Sequence, residues 1–241
     1  MRHPIRSLSL LAAFPFLLAG LGACDEGKVY PEEISTYQSY ANLSLEIKGE
    51  KAFPKKELLV LASFGEDPST PITTAVIPEP SSANKHISAR LGLTGNEKYL
   101  SVAIVTMGAT RELVYSFYSY PLSSVPTEDF TVPVTELDLS PFARVQQQVF
   151  NANCIACHGG STSAAAGLYL TEGRSYQALV NVAADLSTAG KVFVKPGEPT
   201  ASFLLEVLSS DKLRYNHSDI FASMPEYISL LESWIEEGAK K

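Results

Sequence analysis

The sequence has few cysteines, no apolar run long enough to cross a bilayer, and fewer basic than acidic side chains. Its 241 residues include only three cysteines, which excludes a framework of several disulfides. The apolar run from Leu8 to Leu21 is too short for a membrane-spanning helix, and Pro15 interrupts it. The 19 Lys and Arg side chains stand against 26 Asp and Glu, a balance that argues against nucleic acid as a partner.

The N-terminal segment is typical of an export signal. Arg2 and Arg6 precede the apolar run, which ends in Leu21-Gly22-Ala23-Cys24. This tetrapeptide is similar to a bacterial lipobox, and the similarity implies cleavage before Cys24 and acylation of its thiol. Residues 1–23 are then a lipoprotein signal peptide, and the mature chain is held by lipid in the bacterial cell envelope, facing the periplasm or the cell exterior. The alternative is an ordinary signal peptide with a small-residue cleavage site.

Two stretches with different patterns follow. Residues 24–36 are polar and acidic, which predicts a tether. Residues 37–139 contain short runs of alternating apolar side chains separated by turn residues. About seven strands in such a length predict an antiparallel, immunoglobulin-like β-sandwich. His86 and Met107 are isolated in this region, and we interpret both as structural residues.

From residue 140 the pattern predicts short helices. Ser140 and Pro141 form a helix start signal, and apolar side chains at helical spacing continue towards Cys154. Further helices are predicted over 175–184, 199–208 and 225–238. Residues 140–241 are therefore expected to form a second, all-α domain.

The segment Cys154-Ile155-Ala156-Cys157-His158 is the most informative motif of the chain. In an exported protein, C-x-x-C-H is typical of the covalent attachment site of a c-type haem. Each thiol can bond one vinyl group of the porphyrin, and the adjacent imidazole can reach the iron. Two other interpretations are a Cys/His zinc site with His217 as fourth ligand, and a bare dithiol, which would require a βαβ setting.

The order of motifs over residues 140–241 resembles a monohaem class I cytochrome c domain. The features that carry the resemblance, besides C-x-x-C-H, are Ala166-Gly167-Leu168-x-Leu170, Pro196-Gly197-x-Pro199-x-x-Ser202-x-Leu204, Met224-Pro225 and Trp234-Ile235-x-x-Gly238-Ala239. The resemblance implies an all-α cytochrome c fold with one covalent haem c. It further implies thioethers to Cys154 and Cys157, His158 as the proximal axial ligand, and the carbonyl of Pro196 as acceptor for the second ring N–H of His158.

Met224 is the candidate for the second axial ligand of the iron. It is the only methionine between the motif and the C-terminus, and a thioether ligand raises the reduction potential of a haem. Pro225 favours an extended backbone at Met224, which helps its side chain to project. Alternatively, Met224 fills the core and His217 is the competing ligand.

The expected function is outer-sphere electron transfer between redox proteins. With both axial positions filled, the iron has no open site for a substrate, and the sequence shows no catalytic acid, base or nucleophile set, so we do not expect an enzyme. Two alternatives stay open. The chain is a haem-based binder or sensor of a diatomic gas if Met224 does not bind, or the sandwich is a surface docking or adhesion module with an accessory haem domain.

Overall fold

Two four-stranded β-sheets make up the first half of the computed structural model, which describes residues 37–81, 84–211, 213 and 215–241. The strands are β1 Ser39–Lys48, β2 Glu57–Phe64, β3 Thr73–Val76, β4 His86–Leu93, β5 Tyr99–Thr106, β6 Leu113–Pro121, β7 Phe130–Thr131 and β8 Glu136–Asp138. One sheet has the order β4-β1-β7, with β8 also paired to β1, and the other has the order β3-β2-β5-β6.

The apolar alternation explains which face of each sheet is buried. In β1, Leu43, Leu45 and Ile47 are buried while the side chains between them are more exposed, as period-two patterning requires. The inward side chains of β2 and β5, such as Leu61 and Val102, join the same core. The sheets therefore close on each other through the apolar residues that the sequence pattern marks.

The sheets are not wholly antiparallel, contrary to the sequence prediction. Strand β1 pairs in parallel with β7, where Ala41 lies opposite Phe130, and with β8, where Ile47 lies opposite Leu137. These two strands have only two and three residues. Runs of that length carry no readable alternation, so the sequence pattern did not reveal their pairing.

The helical elements that follow are short. They are α1 Phe142–Arg144, a π-helix Val145–Cys154, α2 Ile155–His158, α3 Ser175–Leu179, α4 Phe203–Leu208 and α5 Pro225–Glu236. Single 3-10 turns occur at Glu50–Ala52, Ala165–Gly167, Pro199–Ala201 and Ser218–Phe221. Among the described helices, none is long and apolar enough to cross a membrane.

The predicted fold, an immunoglobulin-like antiparallel sandwich followed by an all-α cytochrome c fold, is wrong. Helix accounts for only about 26% of the structure, α5 is the one long helix, and no all-α cytochrome c domain is evident in the part that is described. The helix predicted over 175–184 ends at Leu179, because the backbone of Val180 is extended, with a ψ of 118°, and Asn181 has a positive φ of 58°. Val180 and Ala183 then form isolated bridges with the segment around Val194 instead of a helix.

The helices of the C-terminal region pack onto the sheets. One continuous hydrophobic core contains Leu43 and Val102 of the sheets together with Val149, Leu231 and Trp234 of the helices. The described residues accordingly belong to one compact unit. The boundary at 139/140 between two domains stays a prediction. The signal peptide 1–23, the tether 24–36 and the acylated Cys24 lie outside the described residues.

Candidate functional site

The helix that leads into the C-x-x-C-H motif is present, as predicted, but its central stretch is π-helical. Val145, Val149 and Phe150 are buried and anchor this stretch in the core. Within this stretch, the Asn153 side-chain amide donates a hydrogen bond to the carbonyl oxygen of Val149 at 3.3 Å. Stretches of π-helix occur frequently at functional sites, and this one ends at Cys154.

The two cysteines of the motif differ in exposure. Cys154 is partly buried against the hydrophobic core, and its Sγ lies 3.6 Å from the carbonyl oxygen of Val149. Cys157 is exposed, and both thiols are free. Burial raises the pKa of the Cys154 thiol to about 12, and the neighbouring Cys157 adds to the shift. A thiol-exchange centre needs a lowered thiol pKa, so this environment disfavours the bare-dithiol interpretation.

The imidazole of His158 has a defined orientation at the end of α2. Its Nδ1 lies 3.1 Å from the carbonyl oxygen of Leu168. A carbonyl oxygen only accepts hydrogen bonds, so Nδ1 must carry the proton and Nε2 keeps its lone pair. This is the arrangement that metal-binding histidines generally adopt. We expected the carbonyl of Pro196 as the acceptor, whereas the structure gives His158 the carbonyl of Leu168.

His217 lies beside His158, although 59 residues separate them in the sequence (217 − 158). The centres of the two imidazole rings are 6.3 Å apart, and the ring planes are inclined at 35°. Nδ1 of His217 lies 3.0 Å from the carbonyl oxygen of Tyr215, so the same argument places the proton of His217 on Nδ1. In both histidines, Nδ1 is therefore bonded to a backbone carbonyl, and Nε2 is the nitrogen that does not take part in that hydrogen bond.

Met224 occupies the N-cap position of α5. It is partly buried, packs against the hydrophobic core, and its backbone N–H donates to the carbonyl oxygen of Phe221 at 2.9 Å. Pro225 follows at the first helical position. The role of Met224 as an axial ligand stays a prediction, and its packing corresponds to the alternative of core filling.

The zinc interpretation requires Cys154, Cys157, His158 and His217 to come together. Within the described ranges, no group of three or more His, Cys, Asp or Glu side chains is placed to hold a metal ion. Of these four residues, the two histidines have neighbouring side-chain rings. Two cavities, of about 240 and 350 Å³, are lined by other residues, and the motif lies at the surface, where Ala156 and Cys157 are exposed.

Sequence reasoning missed the carbonyls of Leu168 and Tyr215, which orient the two histidines. A backbone acceptor leaves no signal in the residue type, so only the folded path of the chain can reveal it. The sequence analysis named His217 only as an alternative ligand, and the structure places its ring beside that of His158. Comparisons with protein-family models, with curated proteins and with solved structures give no match for this chain.

Proposed function

We propose that the chain binds one c-type haem covalently through Cys154 and Cys157, with His158 as an axial ligand, and carries single electrons between redox proteins. The observation that carries the proposal is the orientation of His158 directly after the two thiols. Its Nδ1–H donates to the Leu168 carbonyl at 3.1 Å, which leaves Nε2 as the metal-binding nitrogen.

The two thiols suit addition to vinyl groups. Cys154 and Cys157 would hold the haem: each thiol would add across one vinyl group of the porphyrin, with the sulfur bonding to one vinyl carbon and the thiol hydrogen going to the other. The reaction therefore consumes no oxidant or reductant. Cys154 is partly buried at the end of the π-helix, and Cys157 is exposed on α2. When bound, the haem iron supplies one-electron redox chemistry.

The other residues of the site orient the ligand and set access to it. The Leu168 carbonyl fixes the His158 ring and increases its basicity as a donor. The exposed Cys157 keeps one edge of the site at the surface, which favours electron transfer to a docked protein. With a formal net charge of −7, the chain suits a partner with a basic docking face.

Export and membrane attachment belong to the same proposal. The lipobox-like segment would bring the chain to the cell envelope and anchor it there through Cys24, outside the described residues. We propose a carrier of electrons without an enzymatic activity of its own.

The experiment is expression of the full chain in a bacterium that contains a c-type cytochrome maturation system. We expect haem that stays bound on a denaturing gel, and its complete loss when Cys154 and Cys157 are both changed to serine. Cys24→Ser is the matched control, since it removes a thiol that the proposal assigns to lipid. It should keep the haem while the protein leaves the membrane fraction.

The result that contradicts the proposal is a full chain without covalent haem in cells that mature another c-type cytochrome normally. A second measurement addresses gas binding. If the reduced protein forms a carbonyl complex as soon as carbon monoxide is added, the iron is accessible, and the chain is better described as a binder of diatomic gases.

A further inference from the structure

We propose that His217, rather than Met224, is the second axial ligand of the haem iron, so that two imidazoles hold the iron between them. This inference rests on the proposed function, because it needs the haem attached at Cys154 and Cys157. It changes the chemistry of the site from mixed nitrogen and sulfur ligation to ligation by two nitrogens.

The distance between the two rings fits one metal ion. Their centres are 6.3 Å apart. Two metal–imidazole bonds of about 2.0 Å each, extended by the distance from each ring nitrogen to its ring centre, give a separation of roughly 6 Å. His158 and His217 therefore stand at the separation of two imidazoles that share a metal ion.

The hydrogen bonds of the two rings point to the same role. His158 Nδ1 donates to the Leu168 carbonyl at 3.1 Å, and His217 Nδ1 donates to the Tyr215 carbonyl at 3.0 Å. Within the described part of the chain, neither Nε2 has a hydrogen-bond partner. Two neighbouring histidines with the same tautomer, each with Nε2 free to bind a metal, make a pair of ligands on separate segments of the chain.

The loop that carries His217 is itself well defined. The Asn216 side chain accepts hydrogen bonds from the backbone N–H of Ser218 at 3.0 Å and from the Ser218 hydroxyl at 2.7 Å. The next turn ends at Phe221, which is buried in the core. Turns closed by an Asn side chain are locally stable, so the Asn216 turn and the buried Phe221 hold the backbone that follows His217.

Met224 is held in a different way. Its side chain already packs against the hydrophobic core at the start of α5, which is the common role of a methionine in a protein interior. Ligation by His217 also predicts a lower reduction potential than ligation by Met224, because a thioether raises the potential.

The test uses the full, haem-loaded chain and three spectroscopic readouts. We expect the wild type to be low-spin, to lack the charge-transfer band of methionine-ligated ferric haem, and to show the near-infrared magnetic circular dichroism of two nitrogen ligands. His217→Ala should become high-spin and bind carbon monoxide readily, and added imidazole should restore its low-spin spectrum. Met224→Leu, the matched control, should keep the wild-type spectrum.

The outcomes separate this inference from the proposed function. Covalent haem with a methionine charge-transfer band, or a low-spin spectrum lost in Met224→Leu and kept in His217→Ala, overturns the inference alone. A wild-type chain without covalent haem overturns both. Since the wild-type near-infrared spectrum identifies the ligand pair without any substitution, the test holds even if the His217→Ala chain does not fold.

Discussion

We expect Arg144→Met to be strongly destabilising, because this arginine joins the sheets to the helices that carry the site. Arg144 is only 5% exposed. Its Nη1 donates to the carbonyl oxygens of Ala52 at 2.8 Å and Leu139 at 2.6 Å, and its Nε donates to the side-chain oxygen of Gln148 at 2.8 Å. Burial lowers the pKa of Arg144 to about 10, and the charge of Glu57 partly opposes this shift, so burial disfavours the charged form of this side chain.

The magnitude follows from the acceptors that the substitution leaves behind. The three acceptors are neutral, and each buried acceptor left without a partner costs about 1–3 kcal/mol. Ala52 and Gln148 also line a cavity of about 240 Å³, so water can reach part of this group. We therefore expect a loss of about 3 kcal/mol in the free energy of unfolding, roughly 1 kcal/mol for each of the three acceptors.

Urea denaturation followed by far-ultraviolet circular dichroism measures this loss, with the slope of the transition unchanged. Arg174→Met is the matched control. Arg174 is exposed and its guanidinium lies 3.5 Å from the ring centre of Tyr169, a contact of about 0.5–1 kcal/mol at an exposed site. Equal transition midpoints for the two variants would refute the structural role that we assign to Arg144.

Two further predictions concern the sheets. Gly49 has a φ of +69°, and an added Cβ would lie 2.8 Å from the Ser140 hydroxyl oxygen, whereas Gly173, with a φ of +80°, has nothing within 4 Å. By thermal unfolding, Gly173→Ala should cost about 1 kcal/mol and Gly49→Ala about 3 kcal/mol, and equal costs would contradict the crowding at Gly49. Burial raises the pKa of Glu97, but hydrogen bonds such as that from the Thr94 N–H at 2.7 Å outweigh this and lower it. Glu97 therefore stabilises the fold above its ordinary pKa of 4.5 and loses this effect as the pH falls through its lowered value. Glu97→Gln should cost about 1 kcal/mol at pH 7, with a gap to the wild type that closes in acid, and a gap independent of pH would contradict this account.

The sequence predicted those elements whose signals are local. The alternation in β1 and the helix leading into Cys154 both appear where the pattern placed them. The turn of the chain at Asn181 and the parallel pairing of β7 with β1 did not have such signals. They depend on contacts between distant segments, and propensity in short segments yields to tertiary packing.

The same distinction applies to the site. The residue types of Cys154, Cys157 and His158 could be recognised from the sequence, since the motif is contiguous. His217 could be named from the sequence only as an alternative ligand. Its ring contact with His158 depends on the path of a loop that contains the Asn216 turn and the buried Phe221.

The shared core also bears on how the sheets could affect a bound haem. Val149 lies in the same π-helix as Cys154 and in the same core as Leu43 of β1. Arg144 ties the start of that helix to Ala52, at the end of the 3-10 turn that follows β1. We therefore expect a change of packing in the sheets to move the π-helix that ends at Cys154 and, with it, Cys157 and His158 of the following helix α2. Because ligand orientation tunes a metal centre, we expect the sheets to belong to the environment that sets the chemistry of the proposed haem.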